Sequence, residues 1–200
     1  MTSIPRYLAG LAALIALSAG LAQAQPTNVR VRGTIEKFDG KVLTVKSRDG
    51  KSLEIALADN ASVNATMKIT LADIKPGDYV GVTSRNRPDG SMAALEVHVI
   101  PAFVPAGHFP WDLEPDTMMT NANVTAKVAG TGGNELTLDY KTGTQKIYVP
   151  DSAPIAKTEP GDRALLKPGE TVFLIAQSAA DGKLSAGRVQ VSKDGVKPPQ

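Results

Sequence analysis

The chain has 200 residues, with 22 Lys and Arg against 20 Asp and Glu, two histidines and no cysteine. A charge that close to balance gives no electrostatic case for a nucleic-acid partner, and the missing cysteine excludes a disulfide framework and thiolate chemistry. Eighteen glycines and 14 prolines suit a chain of many turns and are too few for collagen or a disordered linker.

Arg6, the apolar run Tyr7 to Leu21 and the small-x-small site Ala22-Gln23-Ala24 form the three-part pattern of a secretory signal peptide, with cleavage expected near Ala24. The apolar run is shorter than the roughly 20 residues a membrane-crossing helix needs, and no later stretch is long and apolar enough. The expected product is periplasmic or secreted, with no transmembrane segment in the mature chain.

Residues 25–100 read as a first β-module. Val29, Val31, Gly33 and Ile35 alternate with Arg30, Arg32, Thr34 and Glu36, the period of a half-buried strand. Asp39-Gly40 and Asp49-Gly50 turn the chain into strands carrying Leu43 and Val45, then Leu53, Ile55 and Leu57. Ala58 to Thr70 is polar with scattered anchors and reads as a crossing loop. Pro76-Gly77 is a turn in which glycine takes the positive-φ position, followed by strands over Tyr79 to Ser84 and Ser91 to Ile100.

Residues 101–121 break the pattern and read as an interdomain linker. Three prolines, Phe103, Phe109, His108 and the single tryptophan, Trp111, lie within Pro101 to Asp112. A flexible spacer would be rich in Gly and Ser. Two readings stand side by side: the aromatic residues wedge between two modules, or they wall a binding cleft, which domain interfaces favour.

Residues 122–192 repeat the module, with Gly132-Gly133 and Thr142-Gly143 as its expected turns. Leu43-Thr44-Val45 returns as Leu136-Thr137-Leu138, Pro76-Gly77-Asp78 as Pro168-Gly169-Glu170, and Asp89-Gly90 as Asp181-Gly182, at offsets of 93, 92 and 92. A fixed period marks a repeat. Pro150 to Leu166 takes the place of the crossing loop, and residues 193–200 read as a flexible tail. The fold expected is all-β: two related five-stranded modules in tandem, each an OB-like or other small barrel.

Candidate sites are few. His98 and His108, with Met118 and Met119, are donors that suit copper, although nothing in the spacing sets their geometry. No Gly-x-Ser-x-Gly elbow or Gly-Lys-Ser/Thr phosphate loop is present, so no enzyme and no cofactor is called for. Asp112, Glu114 and Asp116 read as a solvated loop. Arg30, Arg32, Lys46, Arg48, Arg85 and Arg87 are expected to form a basic patch on the first module, able to meet anionic lipid or polysaccharide. The binding candidates are therefore His108, Phe109, Trp111, Asp112, Arg85 and Arg87.

Residues 31–97 resemble the small exported bacterial domains grouped as a family of unknown function, DUF5666-like. The resemblance rests on Val31-Arg32-Gly33-Thr34-Ile35, Gly40 to Val45, Leu71 to Asp78 and Asp89 to Val97. It implies an exported barrel-like module and no particular reaction. The second module departs from it at Glu170 and Gly187, and the segment 107–121 is not part of it. The function expected is an exported, non-enzymatic binding or envelope-associated adaptor protein. Its partner would be an envelope protein, a polysaccharide or a small ligand. A copper-binding protein and a hydrolase of an envelope polymer are the alternatives.

Overall fold

Alternating apolar and polar residues pleat into strands that bury one face, and nearly every such run in this chain does so. A computed structural model describes residues 27–128 and 134–198; the expected signal peptide and the Gly132-Gly133 turn lie outside the described residues. In the first half, β1 (Thr27–Phe38), β2 (Val42–Ser47) and β3 (Ser52–Lys68) form a meander. A 3-10 turn at Leu71–Asp73 leads to β4 (Tyr79–Asn86) and β5 (Met92–Val99). Then come β6 (Gly107–Trp111), β7 (Thr117–Val128), β8 (Glu135–Asp139), β9 (Thr144–Tyr148) and β10 (Ile155–Gly161). A second 3-10 turn, Arg163–Leu165, precedes β11 (Thr171–Ser178) and β12 (Leu184–Val191).

The strands close into two five-membered rings, as the small-barrel reading expects, but each ring mixes the two halves of the chain. The first ring runs β1-β2-β3-β12-β11 and back to β1, with β3 and β12 parallel. The second runs β4-β5-β9-β8-β7 and back to β4, with β5 and β9 parallel. The cores follow the rings. Val31, Ile35, Leu43 and Ile55 pack with Leu174, Val189 and Val191, while Val80, Val82 and Val97 pack with Val124, Leu136, Leu138 and Ile147. The expected division into self-contained units at 25–100 and 122–192 is corrected here: neither stretch holds a core of its own.

The exchange has a mechanical cause. Ala58 to Thr70 is not a crossing loop; most of it is the continuation of β3, which has 17 residues. A strand that long rises about 55 Å, too far to return within one small barrel, and it delivers the chain to the other ring. Pro150 to Leu166 likewise contains β10, which pairs antiparallel with β3 from Ala156↔Lys68 to Gly161↔Val63. At the centre Thr66 pairs with Thr158, its own counterpart in the repeat, so an approximate two-fold axis passes through this pair.

Two further segments differ from expectation. Of the linker at 101–121, Gly107–Trp111 is β6 and Thr117 onward is β7, joined as an antiparallel hairpin. In the tail, Lys193 bridges Val196 and Pro198 is buried, while Asp194, Gly195 and Lys197 stay exposed. Gly77 and Gly169 do occupy positive φ, at 97° and 93°, and the backbone N–H of Asp78 donates to Lys75 O at 3.0 Å, closing the turn that Pro76-Gly77 requires.

Gly33 is the tight point of the first ring: a Cβ there would stand 2.1 Å from the carbonyl oxygen of Lys46. Gly33→Ala is expected to cost roughly 1–3 kcal/mol through overpacking, read as a lower urea midpoint at unchanged slope. A fragment of residues 25–100 is expected to show no cooperative urea transition by circular dichroism, and to regain one when mixed with residues 101–198. A cooperative transition of the fragment alone would contradict the shared cores.

Candidate functional site

Alternation places Gly81 and Thr83 of β4, Glu96 and His98 of β5, and Met119 and Asn121 of β7 on the outer face of the second ring. Thr83, Glu96, His98, Met119 and Asn121 are nevertheless buried. On the first ring, outward-facing Arg32 of β1 is buried as well. The outer faces of the two barrels meet, and the β6–β7 hairpin reaches from one to the other.

Trp111, at the end of β6, receives two guanidinium groups from β1. Arg30 stands 4.2 Å and Arg32 5.3 Å from its ring centroid, within cation–π range. Phe109 meets the indole edge-on at 6.1 Å. Asp112 then accepts a hydrogen bond from Arg32 Nη2 at 2.9 Å and faces Arg30 at 3.5 Å. Burial opposes the charged carboxylate, but the Arg32 hydrogen bond and the two cations outweigh it and hold Asp112 below the usual carboxylate range. Arg48 donates to the carbonyl of Leu113 at 3.0 Å, and Arg85 pairs with Glu114. The hairpin tip is thus clamped onto both barrels. The acidic run Asp112–Asp116 is not a merely solvated loop, because two of its carboxylates anchor it.

Beside this clamp lies a cleft of about 250 Å³ lined by Ile100, Phe103, Val104, Trp111, Met119, Phe173, Ile175 and Arg188. Its walls come from the segment after β5, from the hairpin, and from β11 and β12 of the other barrel. Phe103 is 68% and Ile175 51% exposed, so apolar surface faces solvent at the mouth. The Arg188 guanidinium lies 4.6 Å from the Phe103 ring centroid. Comparison with family models, with curated proteins and with solved structures finds no match for this chain. The reading of the site therefore rests on its own geometry.

Of the sequence candidates, Trp111 lines the cleft, Phe109 supports it and Asp112 clamps it. His108 does not join them. It points to the opposite face of β6, with its Nδ1 2.9 Å from Thr120 Oγ1 and its ring stacked on Tyr140 at 5.7 Å; burial lowers its pKa. Arg87 packs over Tyr148 at 5.2 Å, away from Trp111. The basic patch is thereby divided: Arg30 and Arg32 serve Trp111 and Asp112, Arg85 serves Glu114, and Arg87 serves Tyr148.

The copper donor set is divided too. Along one row of the sheet, His98 faces Gly81, Gly81 faces Asn121 and Asn121 faces Gly107. His98 and His108 thus lie about three strand spacings, roughly 14 Å, apart, on opposite faces. Met118 packs against the second core while Met119 lines the cleft. Among the described residues no three His, Cys, Asp or Glu side chains gather as a metal site.

Phe173, Ile175 and Arg188 escape the sequence reading. A signal for two of them exists in Val172-Phe173-Leu174-Ile175-Ala176, which is apolar on both faces. Such a pattern suits a strand with cover on both sides; here the second face is covered in part, with Phe173 half-buried and Ile175 open to solvent at the cleft mouth.

Asp112→Asn is expected to release Arg30 and Arg32 from the hairpin tip and to shift Trp111 emission to the red. In the parent chain the clamp is fully present above the ordinary carboxylate value of 3.8 and is lost as pH falls through the lowered value of Asp112. A red shift below that pH, missing in Asp112→Asn, is the expected titration. Emission unchanged by the substitution would show that Asp112 does not hold the indole.

Proposed function

We propose that this protein is an exported, non-enzymatic binding protein that takes a small, mostly apolar ligand in the cleft between its two barrels, with Trp111 as one wall. The observation that carries the reading is the cleft itself: aromatic and aliphatic side chains from both barrels converge on a solvent-open space of about 250 Å³. That volume lies just below the range of about 300–1,000 Å³ usual for small-molecule sites, which suits one ring system or a short acyl chain. Arg188 at the mouth supplies a cation for an anionic end. Export is the expectation from the signal-like segment over residues 1–24, and it accords with the resemblance of residues 31–97 to exported domains. A periplasmic or secreted location and an envelope-associated role belong to the same proposal.

The single tryptophan makes the test specific. 1-Anilinonaphthalene-8-sulfonate, an aromatic anion, is expected to bind at one saturable site and to take up excitation energy from Trp111. Phe103→Ala, at an exposed position, is expected to weaken that binding about tenfold, or ~1.4 kcal/mol, and leave the unfolding midpoint unchanged. Arg188→Gln is expected to weaken the sulfonate more than an uncharged analogue. Absence of saturable energy transfer in the folded parent protein would overturn the proposal.

A further inference from the structure

The two-fold relation through Thr66 and Thr158 gives the apolar cleft a counterpart. In their sheet registers His98 sits beside Ala156 and Gln190 beside Asn64, equivalent places in the repeat, so Glu96 corresponds to Arg188. The segment that leaves β5 covers the outer face of β12 and walls the apolar cleft. The segment that leaves β12, residues 195–198, covers the outer face of β5 in the same manner and closes a second cleft of about 600 Å³. Its other walls are the loop between β9 and β10 and the end of β3.

The chemistry of this second cleft is different. Glu96 and His98 line it at 4% and 5% exposure. Glu96 accepts a hydrogen bond from Thr83 Oγ1 at 2.9 Å. His98 Nε2 approaches Glu96 Oε2 at 3.4 Å without making a hydrogen bond, and neither ring nitrogen of His98 has a hydrogen-bond partner among the described residues. Buried polar groups in folded proteins are almost always partnered. A neutral imidazole presents one donor and one acceptor, so a hydroxyl, which both gives and takes a hydrogen bond, matches it. Two exposed cations, Lys68 and Lys197, also line the cleft, and neither makes an ion pair among the described residues. The nearby carboxylate of Asp151 is held by Asn134 Nδ2 at 3.0 Å.

We propose that this second cleft binds a small hydroxy acid. Its hydroxyl end is buried against His98 and Glu96, and its carboxylate is held by Lys68 and Lys197. The proposal is independent of the apolar cleft, since the two sites share no lining residue and report through different side chains. A metal ion is disfavoured because, among the described residues, no third His, Cys, Asp or Glu gathers with Glu96 and His98 as a metal site, and Asp151 on the cleft wall is turned to Asn134.

With only two histidines in the chain, imidazole ¹⁵N resonances of the full-length protein provide the test. His98→Phe assigns the two signals, and His108 serves as the internal control. D-glucuronate, used as the probe, is expected to move the His98 ring resonances saturably and leave those of His108 in place. D-glucose, which has the hydroxyls but no carboxylate, is expected to bind at least about tenfold more weakly. Lys68→Ala and Lys197→Ala, both at exposed positions, are each expected to weaken D-glucuronate about tenfold with the unfolding midpoint unchanged. No saturable shift of His98, equal binding of D-glucose, or a response of His98 to Zn²⁺ with none to D-glucuronate would each overturn the proposal.

Discussion

The antiparallel pairing of β3 with β10 is the constraint on which the rest of the structure depends. It joins the two rings through backbone hydrogen bonds along Val63–Lys68 and Ala156–Gly161, and it places the repeat's two-fold axis on Thr66 and Thr158. Because β3 belongs to the first ring and β10 pairs in parallel with β5 of the second, the sheet continues from one barrel into the other. Edge strands that would present unpaired N–H and C=O groups are largely removed by this closure. The same continuity makes each core a joint product: β11 and β12 complete the first ring, and β4 and β5 the second.

Exchange of strands also explains why polar residues sit buried on outer barrel faces. A lone barrel would leave Arg32, Thr83, Glu96 and Asn121 in water. Here they lie between two barrels, where each needs a partner or a ligand. Arg32 finds Asp112 and the faces of Trp111 and Phe173; Thr83 and Glu96 find each other. The segments that follow β5 and β12 cover these faces from opposite sides. Two clefts therefore lie in equivalent places of the fold with distinct chemistry, one aromatic and apolar, the other built around a carboxylate and an imidazole.

Parts of the site were legible in the chain. The aromatic and proline-rich stretch before Asp112 announces side chains that need cover, and Trp111 is covered by arginines of the opposite barrel. Its two readings, wedge and cleft wall, turn out to describe one place: the indole packs at the junction and lines the cavity there. The role of Arg188 was not legible, because a lone arginine on a strand carries no mark of what it faces. The spacing of two puts His98 on the same strand face as Glu96, which sequence alone reads as a surface position or a weak metal donor; the structure buries that face, and His108 lies across the sheet on the other side.

Composition and periodicity by themselves determined the all-β class, most strand positions, the turns at Asp39-Gly40, Pro76-Gly77 and Pro168-Gly169, and the core-facing residues of most strands. These are local matters: alternation selects one face of a pleat, and glycine permits a positive φ wherever it stands. Tertiary structure alone decided which strands share a barrel. Alternation is identical whether β3 returns to β4 of its own half or runs on to meet β10 and β12, so the pattern cannot distinguish a tandem pair from an exchanged one. That choice rests on the length of β3 and the complementarity of distant surfaces, and it also decides where the clefts lie.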